Sequence, residues 1–87
     1  MLLTAEHAIK EGTNAAMGVA TLVAGTVVVN NTRITANTRI FLTIQSPAGT
    51  LGVVYVSART AGTSFTITST SILDTSTVAW MIVEPAS

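Results

Sequence analysis

His7 is the single histidine of this 87-residue chain; Glu6 flanks it, and Glu11 four residues on would share its side of a helix. A histidine among carboxylates is the start of a metal shell. Zinc takes three or four protein ligands, and with no cysteine in the chain the set falls short, so a solvated helix face is the expected reading. Asp74 and Glu84 form the other pair that invites acid–base chemistry. The run Asp74-Thr75-Ser76-Thr77 has the composition of an Asx-type turn, however, and Glu84-Pro85 reads as a strand terminus. Ser57, Ser64 and Ser69 have no glycine-flanked elbow and no second histidine to activate them. The glycines are isolated and build no phosphate loop. Trp80 and Tyr55 could stack a sugar ring, but both lie in apolar runs where core or interface packing is expected. The residues therefore predict no catalytic group, no cofactor and no metal ion.

The elements that position these residues are mostly extended. From Arg59 to Glu84 two alternating runs flank a polar connection rich in Ser and Thr. In the first, Phe65 and Ile67 point one way and Ser64, Thr66 and Thr68 the other, the period of a strand with one wet face. In the second, Val78, Trp80 and Ile82 oppose Ala79, Met81 and Val83, so both sides need cover, as in a central or interface strand. β-Branched residues dominate from Met17 onward. Strands are expected near residues 18–23, 26–29, 39–44, 53–59, 64–68 and 77–84, giving an all-β fold: a small antiparallel sandwich or barrel of about six strands. Gly25 marks a sharp bend between the first two, and Ser46-Pro47-Ala48-Gly49 is the clearest hairpin signal.

Residues 1–15 are expected to form a short helical arm, with Thr4 as cap, Glu6 and Lys10 paired and Gly12 as stop. Residues 16–87 form the β-domain. Asn31-Thr32-Arg33-Ile34 recurs as Asn37-Thr38-Arg39-Ile40, which reads as two edge-and-turn segments using Asn for the turn and Arg for solubility.

Composition points to association. The chain is 48% hydrophobic and 9% charged, against about 25% charged in ordinary soluble domains. A domain of this length buries only roughly 60–65% of its unfolded surface. The runs Val27–Val29, Val53–Val56 and Val78–Val83 are apolar on both faces, and one core covers one face of each. Uncovered apolar surface costs about 25 cal/mol per Å², so a homo-oligomer is expected, with subunit contacts drawn from Val54, Val56, Met81 and Val83. Zero net charge gives no basic patch for nucleic acid. The apolar stretch 15–29 is shorter than the ~20 residues of a membrane span and is broken by Gly18, Thr21, Gly25 and Thr26, so no membrane insertion is expected.

The segments TANTRIFLTIQSPAGT (35–50), VSARTAGTSFTITS (56–69) and DTSTVAWMIVEP (74–85) together resemble a β-domain of tailed-bacteriophage virion proteins, familiar as the C-terminal module of longer fibre- or spike-like proteins. The resemblance implies a virion part without enzyme activity that caps, trimerises or decorates a larger component beside other virion proteins. The expected number of three subunits also comes from it. Its alternative is a receptor- or carbohydrate-binding head of a tail fibre or spike, which would present Tyr55, Arg33 and Arg39 to a host-surface glycan.

Overall fold

The computed structural model describes Glu11 and residues 14–85. It contains six strands: β1 (Met17–Thr21), β2 (Thr26–Asn30), β3 (Arg39–Ser46), β4 (Val54–Thr60), β5 (Ser64–Ser69) and β6 (Thr77–Val83). No helix occurs among the described residues. The arm expected at 1–15, with His7, lies for the most part outside them.

The strands form two antiparallel three-stranded sheets, ordered β1-β6-β3 and β2-β5-β4. The run with two apolar faces, β6, is the centre of the first sheet, and the run with one wet face, β5, is the centre of the second. Their inward side chains make the core: Phe65 and Ile67 from β5 meet Val78, Trp80 and Ile82 from β6, closed by Leu22 and Ile34 from the connections. Ser64, Thr66 and Thr68 turn outward, as period-two alternation requires. Trp80 and Phe65 meet edge to face, a favoured arrangement of aromatic quadrupoles. A β-carbon on Gly18 would stand 2.5 Å from Trp80 Cζ2, so the strand paired with Trp80 has room for the indole only because residue 18 lacks one.

The connections depart from expectation at one place. Ser46-Pro47-Ala48-Gly49 does not close a hairpin: β3 pairs with β6 and β4 with β5, and residues 47–53 carry the chain from one sheet to the other. The physical reason lies in the apolar residues on either side. Ile40, Leu42 and Ile44 of β3 and Val54 and Val56 of β4 pack on one core from opposite sheets, which pairing in a single sheet would not allow. The hairpin is instead β4–β5, turned at Ala61-Gly62-Thr63 with Thr63 N–H bonded to Thr60 O at 3.0 Å. Gly25 makes the expected corner between β1 and β2 at φ 77°, a left-handed conformation that glycine adopts without penalty.

Candidate functional site

The two candidate carboxylates have structural tasks at opposite ends of the sandwich. Asp74 precedes β6 and is fully buried. Its Oδ1 accepts from Ser76 Oγ at 2.6 Å and from Ser76 N–H at 3.0 Å, and its Oδ2 accepts from Ser69 Oγ at 2.7 Å and from Gly52 N–H at 3.1 Å. The bond to Ser76 N–H is the Asx turn expected from the sequence. Asp74 also takes Gly25 N–H on its backbone carbonyl at 3.1 Å. One residue thus ties together the 22–25 corner, the 47–53 crossover and the 70–76 loop. The hydroxyls of Ser76 and then Ser69, outweighing the burial that opposes them, hold the carboxyl down to about 2, because donors aimed at the charged form favour it.

Glu84 follows β6 at the opposite end. Thr35 Oγ1 and Thr38 Oγ1 each donate to it at 2.7 Å. These hydroxyls, with a smaller contribution from the positive charge of Arg39, lower its carboxyl below the ordinary range. The two carboxylates are separated by the length of a seven-residue strand, roughly 20 Å at the usual rise per residue. Acid–base pairs that share a scissile bond stand within about 10 Å. Asp74 and Glu84 therefore do not form one.

The serines are similarly engaged. Ser69 donates to Asp74, and Ser57 Oγ lies 2.6 Å from Thr68 Oγ1 on the outer face of the second sheet. Among the described residues no group of three or more His, Cys, Asp or Glu could hold a metal ion; the position of His7 falls outside that set. Trp80 and Tyr55 are not brought together: Trp80 is in the core, whereas Tyr55 stands exposed on β4. The Trp80 Nε1 is buried without a hydrogen-bond partner.

Asn31 is a structural centre that sequence reasoning assigned only to a turn. It is fully buried, donates from Nδ2 to Ala15 O at 2.7 Å and accepts Arg33 N–H on Oδ1 at 2.9 Å. Its counterpart in the repeated tetrapeptide, Asn37, is exposed. The two copies therefore differ in burial, and Arg33 and Arg39 are separated by turns over residues 32–37 rather than aligned on one strand.

The four residues expected at a subunit contact divide between surfaces. Val54 and Val56 pack on the core. Met81 and Val83 face outward from β6, half-buried and exposed respectively. Met81 lines an open depression of about 560 Å³ on the outer face of the first sheet, together with Met17, Val19, Phe41 and Ala79, with Glu11, Thr43 and Gln45 around it. The register puts Met17, Met81 and Phe41 in one row across three strands. The centre of this face is apolar, in contrast to the Ser- and Thr-rich outer side of β5.

Comparison with protein-family models matches residues 14–83 to "K1 capsule-specific polysaccharide lyase, C-terminal domain". The chain belongs to this family. The match ends at Val83, the last residue of β6, and so spans the whole sandwich. It agrees, in coarse form, with the resemblance to C-terminal domains of phage tail proteins. Comparison with curated proteins returns no match.

Proposed function

We propose that this chain is a non-enzymatic structural module of a bacteriophage virion, the C-terminal β-domain of a tailspike-type protein, and that it acts as a homo-oligomer, a trimer, capping or trimerising the larger component. The family takes its name from a lyase specific for K1 capsule polysaccharide. In this reading, cleavage belongs to another part of such a protein, and the present domain holds copies together. The observation that carries the reading is the use made of the polar side chains. Asp74, Ser69 and Ser76 have their hydrogen-bonding capacity turned toward loop backbone and one another, and Glu84 toward the Thr35 and Thr38 hydroxyls, while the outer face bearing Met17, Phe41 and Met81 is left apolar at its centre. Met81 and Val83 supply a lateral subunit contact, whereas Val54 and Val56, expected at the same contact, lie on the other sheet and pack inward on the core.

The test is to incubate the purified chain with K1 capsular polysaccharide and to measure both polymer length and binding. Unchanged length and no specific binding are expected. Shortening of the polymer would overturn the non-enzymatic reading, and saturable binding without shortening would favour a carbohydrate-binding head.

A further inference from the structure

Five large apolar side chains, Val23, Leu51, Val53, Ile72 and Leu73, converge at the Asp74 end of the sandwich, with exposures from 57% at Leu51 to 76% at Ile72. Hydrogen bonds fix that convergence. Thr50 N–H donates to Leu73 O at 3.1 Å, Val53 N–H to Thr70 Oγ1 at 2.9 Å, and Gly52 N–H to the Asp74 carboxylate. A β-carbon on Gly25 would fall 3.0 Å from Ile72 Cα, so the corner that carries Val23 lies directly against the turn that carries Ile72. The segments that carry these apolar tips are therefore held together by hydrogen bonds, and exposed apolar surface gathered at one end in this way marks an interaction site.

Charge is partitioned to the other end, around Thr38. Arg59 Nη1 donates to Thr38 O at 2.6 Å, Glu84 accepts from the Thr38 hydroxyl, Arg39 is the next residue, and Arg33 lines one recess with Thr38 and Glu84. Glu11 bridges to Met17 at the start of β1. Among the described residues, Asp74 alone carries charge at the apolar end, and it is buried against four donors.

From this partition we infer that the apolar end is a surface through which copies of this chain associate, with Asp74 as the residue that positions it and the equivalent end of a second copy as its occupant. The inference rests on the homo-oligomer proposed above and names a contact for it. An uncharged end can meet its equivalent without burying an unpaired charge, which would be costly. A rotation axis passing beside this end covers every copy with one operation. A membrane surface would instead call for Lys or Arg flanking the apolar residues, and the arginines are at the far end.

The test compares the solution mass of the 87-residue wild-type chain with that of Ile72→Asp/Leu73→Asp and, as a control, Val28→Asp on the outer face of the second sheet, all at micromolar concentration. Circular dichroism and thermal melting verify folding, which exposed positions should not disturb. Expected are an oligomer for wild type and Val28→Asp, and for the double variant a folded species of lower mass, shifted toward the single chain of 9.0 kDa, because one of the two proposed contacts is lost. A double variant that keeps the wild-type mass would overturn the assigned surface while leaving the oligomer intact. Equal loss of assembly in Val28→Asp would overturn it as well. A monomeric wild type would remove both the surface and the oligomer on which it rests.

Discussion

The Trp80 ring stands edge-on to Phe65, with centroids 5.5 Å apart and planes at 78°, and this contact joins the central strands of the two sheets. It depends on Gly18 in the neighbouring strand. A β-carbon there would meet Trp80 Cζ2 at 2.5 Å, Cε2 at 2.9 Å and Nε1 at 3.2 Å, and the nearest of these, Cζ2, belongs to the fused second ring that phenylalanine does not have.

Gly18→Ala should therefore destabilise the fold by about 1–3 kcal/mol, the usual cost of overpacking a core. In a Trp80→Phe background the same substitution should cost less. Chemical denaturation of the four proteins of this double-mutant cycle measures the coupling. Equal costs in both backgrounds would show that the strand, rather than the indole, rejects the added methyl group.

Asp74 makes the stability of the sandwich pH-dependent in a defined direction. Its folded carboxyl titrates at about 2 against an ordinary 3.8, so the folded state holds fewer protons than the unfolded state between those values. The stability it contributes is complete above the ordinary value and is lost as pH falls toward 2. Melting temperatures of wild type should fall through that window. Asp74→Ala should melt lower at neutral pH, because the Ser69, Ser76 and Gly52 donors lose their acceptor. It should also show a shallower acid decline, with the remainder carried by Glu84, whose carboxyl is likewise lowered. An acid decline as steep in Asp74→Ala as in wild type would contradict this role.

Much of the fold was legible in the chain because alternation is a local signal. Phe65 and Ile67 against Thr66 and Thr68, and Trp80 against Met81, declare faces without reference to the rest of the molecule, and all six strands fall within two residues of their expected bounds. Pairing is not local. Pro47 and Gly49 mark a turn whether the chain returns to its own sheet or crosses to the other, and only the common core of β3 and β4 decides between them. Asp74 was readable as an Asx turn from its neighbours. Its link to Gly52, twenty-two residues away, was not, since no pattern records that contact. Nor did the sequence distinguish Asn31 from Asn37: identical tetrapeptides acquire different burial from what packs over them. The apolar excess was visible in composition, but its division between the face bearing Met81 and the end bearing Ile72 and Leu73 depends on sheet assignment and loop hydrogen bonds.

The claim that joins these observations is that the domain holds copies of itself together. Light scattering on the wild-type chain after size exclusion, at micromolar concentration, tests it most directly. A uniform, folded species with three times the mass of the 9.0 kDa chain is the predicted result. A folded monomer at the same concentration would contradict it.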